Sequence, residues 1–312
     1  MTLEKLIIAT RGSKLALWQS EHIKARLEEL RPGLEVELNI IVTSGDKIQD
    51  VALSKIGGKG LFLKELEEAM LRGEAHMAVH SLKDVPTVMP EGLPLAAITE
   101  REDARDALLS QKYDSLKNLP QGAIVGTSSL RRKMQLLMIR PDLQIKDLRG
   151  NVDTRIRKLK EGQFDAIILA SAGINRLGFV DSVNHVYNIS QDEMVSSMGQ
   201  GALGLQTIEN KEIFDLVHQL NHKATEIEVT VERAFVDILE GGCHVPIGVN
   251  ASYSEDGKVT ASCTLGLPDA SEVIAETIVG SEDNFTTLGK DLAQVVIDKG
   301  AIELLARADK MD

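Results

Sequence analysis

Short apolar runs alternate with amphipathic helical patterns along most of this chain of 312 residues. In the first hundred residues, strand-like runs and helical patterns follow each other at 6–10, 15–30, 36–42, 62–71, 77–80 and 95–98. Such alternation is typical of an α/β domain with a mostly parallel sheet. The same pattern begins again at 123–126, 130–139, 143–146, 152–159 and 166–170, where it predicts a second α/β domain.

The last part of the sequence has a different order of elements. A helical pattern at 226–239 precedes strand-like runs at 249–254, 259–265 and 273–279, and a final helical pattern covers 285–299. Consecutive strands joined by polar turns, followed by a helix, predict a smaller α+β domain.

Two segments interrupt the apolar periodicity and predict interdomain crossings. Residues 99–106 are highly charged, and residues 196–201 are small and rich in glycine. The predicted domains are therefore domain 1 at 1–99 and 200–220, domain 2 at 100–199, and domain 3 at 221–312.

The net charge of -12 argues against nucleic acid or an anionic membrane as the main partner. The charge is uneven, however, since residues 127–176 hold eleven Lys/Arg against five Asp/Glu. That basic segment predicts a small polyanionic ligand. The first residues form no signal peptide or membrane span. Two cysteines, Cys243 and Cys263, are too few for a disulfide framework or a zinc site, so we expect a soluble cytoplasmic protein without a bound metal.

Thr127-Ser128-Ser129 follows a predicted strand and opens a predicted helix. The free N–H groups of a helix start favour anions. Arg131 and Arg132 fall in the first helical turn, which is unfavourable unless a carboxylate or phosphate neutralises them. Ordinary N-capping beside two solvated arginines is the alternative that the sequence leaves open.

The segment from Arg149 to Arg155 repeats this arrangement with a strand end, a glycine and a helix start. In an open α/β sheet, ligands bind outside the carboxyl ends of the strands, so we expect the two turns to converge. Surface arginines paired with the acidic excess are the alternative.

Lys83 and Asp84 come just after a predicted buried strand, and Pro86 prevents a helix from continuing. Asp84 is therefore either an acid that faces a crevice or a structural turn residue. His80 fits a packed strand residue better than a metal ligand, because its neighbours lack ligand spacing.

Two glycine-rich stretches complete the candidates. Gly57-Gly58-Lys59-Gly60 ends a polar stretch that is either a mobile lid carrying Lys55 and Lys59 or a disordered surface loop. Cys243 follows Gly241-Gly242 on a predicted loop, which makes it a candidate nucleophile or attachment point. Cys263 lies in a strand pattern and is predicted to be buried.

Three segments together resemble the porphobilinogen deaminase family: His80 to Pro86, Thr127 to Arg132, and Gly241 to Gly248. The resemblance extends over almost the whole chain. It implies two domains like the lobes of a periplasmic binding protein and a third domain that presents the cysteine loop. It also implies a transferase of tetrapyrrole and heme biosynthesis, which joins four porphobilinogen molecules head to tail, releases ammonia and yields hydroxymethylbilane. The growing chain would hang from a dipyrromethane cofactor held by a thioether bond.

The resemblance assigns roles to individual residues. Asp84 matches the catalytic acid, and Cys243 matches the cofactor anchor. The other matches to cofactor-binding positions are Lys83, Thr127, Ser129, Arg131, Arg132, Asn151 and Arg155. The matches to substrate-binding positions are Arg11, Ser13, Lys55, Lys59, Phe62, Arg149, Arg176 and Gln200.

The resemblance also accounts for the basic segment, because each pyrrole of the growing chain carries an acetate and a propionate. We expect a monomer with porphobilinogen as its partner. The chain departs from the family's usual pattern at Ser196, Gln206 and Ile208. The rival class is a non-catalytic two-lobed binding protein for a small polyanionic ligand, which would not need Cys243.

Overall fold

The computed structural model describes residues 3–43, 63–239 and 245–311. The chain divides into two compact units. Unit 1 comprises Met1–Glu102 and Ala202–Glu226, and unit 2 comprises Asp103–Gly201 and Ile227–Asp312. The limits of three domains that we predicted from the sequence stay a prediction.

Unit 1 is built on one five-stranded sheet with the order β2-β1-β3-β10-β4. Its strands are β1 (Lys5–Arg11), β2 (Glu35–Ile41), β3 (Met77–Ser81), β4 (Leu95–Ile98) and β10 (Leu203–Thr207). Its helices are α1 (Lys14–Leu30), α2 (Lys64–Leu71) and α6 (Lys211–His218), and a 3-10 helix at Leu82–Asp84 follows β3. Strand β1 is parallel to β2 and β3, whereas β10 is antiparallel to β3 and β4.

Unit 2 contains a second five-stranded sheet, with the order β7-β6-β8-β5-β9. Its strands are β5 (Asp106–Ser110), β6 (Ile124–Gly126), β7 (Gln144–Lys146), β8 (Ala166–Ala170) and β9 (His185–Asn188). Its helices are α3 (Leu130–Ile139), α4 (Val152–Lys160) and α5 (Ser171–Arg176). Strand β6 is parallel to β7 and β8, and β5 is antiparallel to β8 and β9.

The third sheet is antiparallel and has the order β11-β12-β13. The elements of this part are β11 (Ile247–Tyr253), β12 (Lys258–Gly266), β13 (Val273–Ser281), α7 (Lys223–Ile238), α8 (Phe285–Ile297) and α9 (Ala301–Ala308). Phe235 of α7 is fully buried and packs in one cluster with apolar residues of β11, β12, α8 and α9. The three sheets confirm the predicted fold class, which is two α/β domains and a smaller α+β part.

Most predicted elements lie within a few residues of the observed ones, and six of the described strands and α-helices were not predicted. These are β5, β9, β10, α5, α6 and α9. The prediction that residues 99–106 form a crossing was wrong at its last residue, because Asp106 is the first residue of β5. The side chain of Asp106 is fully buried.

Candidate functional site

The first group of candidate residues follows the strands of unit 1. Arg11 is the last residue of β1, and Ser13 caps α1 by accepting a hydrogen bond from the amide of Ala16 at 3.3 Å. Strands β1 and β3 are parallel neighbours, with Ala9 opposite Ala78. The turn after β3 therefore leaves the sheet at the same edge as Arg11.

That second turn carries Lys83 and Asp84 in its 3-10 helix. Leu82 and Val85 are buried on either side, and the amide of Leu82 donates to the carbonyl of Ala202 at 3.0 Å. Asp84 itself is exposed. Buried neighbours thus fix the backbone of the turn and leave one carboxylate in solvent.

A buried polar network lies at the end of β3, just before this turn. The Nε2 atom of His80 is 3.0 Å from Oε1 of Gln206, whose Nε2 donates to Oε1 of Glu67 at 3.0 Å and to the carbonyl of Leu93 at 3.2 Å. Burial lowers the pKa of His80 to about 4. His80 is therefore a packed, neutral residue, as predicted. Residues 3–43, 63–239 and 245–311 contain no group of three His, Cys, Asp or Glu that could hold a metal ion.

In unit 2, the two arginine-bearing turns are joined by one hydroxyl. Ser128 Oγ donates to the carbonyl of Leu148 at 3.1 Å, and the amide of Leu148 donates back to Ser128 Oγ at 3.0 Å. The amide of Thr127 also donates to the carbonyl of Lys146 at 2.9 Å. The predicted convergence of the turns that follow β6 and β7 is confirmed.

The remaining hydroxyls shape the start of α3. Ser129 is the N-cap residue and accepts from the amide of Arg132 at 3.5 Å, while Thr127 Oγ1 accepts from the amide of Ser129 at 3.2 Å. Asn151 precedes α4 without a capping side-chain bond and is exposed. Gly150 has φ of 109°, and a Cβ there would lie 2.7 Å from Cγ2 of Thr154. This turn therefore requires glycine.

Arg131 and Arg132 are buried rather than solvated, with exposed fractions of 5% and 6%. Arg131 Nη1 donates to Oδ2 of Asp106 at 2.7 Å, and Arg132 Nη2 donates to Oδ1 of Asp106 at 2.7 Å. The alternative of two solvated arginines is therefore wrong. A carboxylate does neutralise this turn in part, and it belongs to the protein.

Asp106 was absent from our sequence-based candidates, because its charge led us to place it in a linker. Burial raises the pKa of this carboxyl, but the charges and hydrogen bonds of Arg131 and Arg132 outweigh that effect and hold the pKa well below its usual range. Burial lowers the pKa of Arg131, and the attraction of Asp106 opposes this. An acidic residue next to a run of apolar residues, Ala107-Leu108-Leu109, was the available signal for a buried ion pair.

Arg155 provides a further cation at the convergence of the turns. Its Nε donates to the carbonyl of Gly150 at 2.7 Å, and no carboxylate of the described residues pairs with it. Burial and the nearby charge of Arg132 lower its pKa to about 10, so the side chain is still charged at neutral pH. A desolvated cation in this setting favours an anionic ligand.

The other candidates occupy different surroundings. Arg149 Nη2 lies 3.7 Å from Oδ2 of the exposed Asp147, and Arg176 Nη2 donates to the carbonyl of Gly201 at 2.6 Å. Gln200 is buried, and its Nε2 donates to the carbonyl of Ala104 at 2.8 Å. The candidates that lie outside the described residues are Lys55, Lys59, Phe62 and Cys243. Cys263 is buried as predicted, and burial raises the pKa of its thiol to about 12.

These features define an α/β protein with cationic strand-end turns that suit a carboxylate-rich ligand, together with an exposed acid at another strand end. Residues 6–215 match the family model of the porphobilinogen deaminase dipyromethane cofactor binding domain. Residues 226–298 match the porphobilinogen deaminase C-terminal domain. The chain belongs to the porphobilinogen deaminase family.

Curated relatives match over almost their full length. The porphobilinogen deaminase of Sulfurimonas denitrificans is 65% identical over 309 residues, which cover 99% of each chain. That of Nitratiruptor sp. is 59% identical over 307 residues, which cover 98% of each chain. Among solved structures, a TRAP periplasmic solute binding protein from Desulfovibrio salexigens matches with a TM-score of 0.43 and 11% identity, covering 72% of this chain and 74% of that one. Within the described residues, every helix is too short or too polar to cross a membrane.

Proposed function

We propose that this chain is a transferase that joins four porphobilinogen molecules head to tail, releases ammonia at each addition and forms hydroxymethylbilane. Membership of the porphobilinogen deaminase family along residues 6–215 and 226–298 carries the proposal. The non-catalytic binding protein is not favoured, because the curated relatives are named for the enzyme.

The side chains of the two unit 2 turns suit a dipyrromethane cofactor. Such a group carries several carboxylates, and Arg155 is a cation that no described carboxylate neutralises. In this proposal the residues that hold the cofactor are Lys83, Thr127, Ser129, Arg131, Arg132, Asn151 and Arg155, and Cys243 is the anchor. When bound, the cofactor supplies the pyrrole end to which the first porphobilinogen is joined.

Asp84 is proposed as the catalytic acid. Loss of ammonia leaves a positive charge on the substrate pyrrole, and a carboxylate that accepts the pyrrole N–H stabilises that charge. The same carboxyl can transfer a proton at the leaving amine. The exposure of Asp84 suits both tasks, because the group is reachable and its neighbours Leu82 and Val85 are buried.

Substrate carboxylates are assigned to the remaining candidates. Cationic and polar side chains bind acetate and propionate groups by charge-assisted hydrogen bonds. The residues proposed to bind substrate carboxylates are Arg11, Ser13, Lys55, Lys59, Arg149 and Arg176, and Phe62 is proposed to pack on a pyrrole ring. Gln200 is buried and its Nε2 donates to a backbone carbonyl, so we propose that it supports the site instead of contacting the substrate. The protein is further proposed to act as a cytoplasmic monomer.

Intact mass and product formation together test this proposal. The wild-type protein should exceed its sequence mass by two linked pyrroles and should form a bilane from porphobilinogen. Cys243→Ser should lose both properties, because a hydroxyl in place of the thiolate does not form the thioether. The matched control is Cys263→Ser, which should keep the added mass, since that thiol is buried and protonated. A full adduct on Cys243→Ser would contradict the proposed anchor.

A further inference from the structure

We propose that Asp106 is a positioning residue, which holds the guanidinium groups of Arg131 and Arg132 in the orientation that the ligand-binding turn requires. Gln200 assists it by holding the same carboxylate from another side. This inference rests on the proposed function, because it concerns the binding of the same carboxylate-bearing cofactor.

The contacts of Asp106 are divided unequally between its two oxygens. Oδ1 accepts from Arg132 Nε at 3.0 Å, from Arg132 Nη2 at 2.7 Å and from Gln200 Nε2 at 3.0 Å. Oδ2 accepts from Arg131 Nη1 at 2.7 Å. A single fully buried carboxylate therefore orients two guanidinium planes at once.

Backbone carbonyls complete this arrangement. Arg131 Nη1 also donates to the carbonyl of Val195 at 2.8 Å, and Arg132 Nη1 donates to the carbonyl of Ile168 at 3.1 Å. These bonds use some of the five N–H donors of each guanidinium and leave the others for a ligand. Asp106 thus decides which N–H groups are used within the protein and which are left for a ligand.

The carboxylate also sets the charge of the turn. Two arginines and one aspartate give the cluster a formal charge of +1, whereas the arginines alone would give +2. Two unscreened cations repel each other strongly at low dielectric, so the pair needs the internal carboxylate before a ligand arrives. The remaining positive charge is then available to one ligand carboxylate.

Gln200 fixes Asp106 from the end of the first stretch of unit 2, Asp103–Gly201. Besides Asp106, its Nε2 contacts the carbonyls of Ala104 at 2.8 Å and Arg105 at 3.3 Å. The amide thereby joins the last residues of Asp103–Gly201 to the first residues of the same stretch. Gln200 is thus assigned a positioning role, in which its amide nitrogen acts through Asp106.

The unequal contacts predict how an isosteric change would act. In Asp106→Asn, the three donors around Oδ1 would keep the amide oxygen on that side. The new amide nitrogen would then face Arg131 Nη1. Both atoms are hydrogen-bond donors, so no hydrogen bond would form between them. Arg131 would lose its carboxylate partner and keep the carbonyl of Val195, and the cluster charge would rise to +2.

The experiment compares Asp106→Asn with Asp142→Asn. Asp142 accepts from Arg140 Nε at 2.7 Å and Arg140 Nη2 at 2.8 Å at the opposite end of α3, so it is a matched aspartate that pairs with arginine away from the turn. Apoprotein would be incubated with porphobilinogen, and the chains carrying two pyrroles would be counted by intact mass over time. We expect Asp106→Asn to load about tenfold more slowly, or worse, as for loss of a hydrogen bond between charged groups. Asp142→Asn should load at the wild-type rate.

A second readout separates positioning from simple loss of structure. In the fraction of Asp106→Asn that does load, kcat should stay near the wild-type value, because Asp84 is untouched. Asp106→Glu, which keeps the charge, should recover part of the loading rate. Normal loading of Asp106→Asn would overturn the inference. The inference would also be overturned if kcat in the loaded fraction fell by the same factor as the loading rate.

If Asp106→Asn does not fold, Gln200→Met decides the question, since it removes one donor to Oδ1 and leaves both charges. We expect slower loading with an unchanged circular dichroism spectrum, and wild-type loading would overturn the inference. A wild-type protein that never acquires pyrroles would instead overturn the proposed function. The two failures are therefore distinguishable.

Discussion

The two five-stranded sheets share one strand order and differ in the chemistry at their strand ends. In unit 1 the order is β2-β1-β3-β10-β4, and in unit 2 the equivalent order is β7-β6-β8-β5-β9. In each sheet the fourth strand is antiparallel to its neighbours. Strand β5 is the first strand after the chain enters unit 2, and β10 is the first strand after the chain returns to unit 1. One unit ends its third strand near an exposed carboxylate, Asp84, whereas the other surrounds a buried carboxylate, Asp106, with arginines.

Both sites contain an aspartate, so residue type does not distinguish the proposed catalytic role of Asp84 from the proposed positioning role of Asp106. The two side chains differ in burial. Asp84 is exposed on a turn whose backbone is fixed by Leu82 and Val85, so its carboxyl is accessible to a substrate. Asp106 has the same side chain, but its two oxygens accept four hydrogen bonds from arginine and glutamine. These bonds keep the carboxylate from binding a substrate or exchanging protons with it. The acid that we propose exchanges protons is in solvent, and the acid that we propose orients cations is enclosed.

The substitution Asp84→Asn, which tests the proposed role of the exposed acid, should have the largest effect. We expect the variant to fold and to retain its cofactor, yet to lose turnover by about 10²- to 10⁴-fold, because an amide does not transfer the proton. Steady-state kinetics and intact mass would measure the two properties. Asp215→Asn, which removes an exposed acid of α6 that pairs with Lys211, should change neither. Full activity of Asp84→Asn would remove the assigned acid.

In unit 2, we expect a substitution at the buried ion pair to reduce stability and cofactor loading. Arg132→Ala leaves Asp106 with only Arg131 and Gln200 in a buried site, so the free energy of unfolding should fall by about 3–5 kcal/mol. Cofactor loading should fall with it. Urea unfolding would measure the change, with Arg72→Ala as the control. Arg72 pairs with Glu74 at the surface, where solvent screens the charges and the loss should be much smaller. Equal losses in the two variants would contradict the buried role of Asp106.

A smaller effect concerns the pH dependence of stability. His80 is buried and neutral, with its pKa lowered to about 4, whereas an unfolded histidine titrates near pH 6.5. Between these values the unfolded chain binds a proton that the folded chain does not, so stability is greatest above pH 6.5 and falls as the pH falls. At about 1.4 kcal/mol per pH unit, the loss by pH 4 is about 3 kcal/mol.

Urea unfolding at several pH values would test this expectation. His80→Gln should flatten the dependence between pH 6.5 and 4, because the titrating group is gone. His76, whose pKa is also lowered by burial, contributes in the same direction and should account for part of the remaining slope. The Asp106 contribution is present above the pKa of an unfolded aspartate and is lost only as the pH falls below about 4. An unchanged slope in His80→Gln would show that His80 is not the group responsible.

The sequence predicted those elements whose own residues show a clear apolar run or a helix cap. Strand β8, Ala166–Ala170, is a continuous apolar run, and α3, Leu130–Ile139, follows a serine cap, so both were located to the residue. Strand β5 begins with a charged residue whose partners lie 25 and 26 positions away, and no local pattern shows such a pairing. Strand β10, Leu203–Thr207, contains glycine and glutamine and is nonetheless buried throughout, because it is enclosed between β3 and β4.

The residues of the candidate site also fall into those with a local sequence signal and those without one. The prediction that Thr127 to Arg132 bind an anion rests on a strand end, a helix start and two cations, which are all local features. The burial of those cations depends on Asp106 and Gln200, which approach from distant parts of the chain. Sequence reasoning therefore found the arginines and missed the carboxylate that orients them.

The position of β10 has a consequence for the emerging polypeptide on the ribosome. Strands β3 and β4 are each hydrogen-bonded to β10, so residues 99–202 must be synthesised before the first sheet can close. The second sheet, from Asp106 to Asn188, has all five strands by then. A chain that ends before residue 203 would therefore have every strand of the second sheet, whereas β3 and β4 would lack the strand that lies between them.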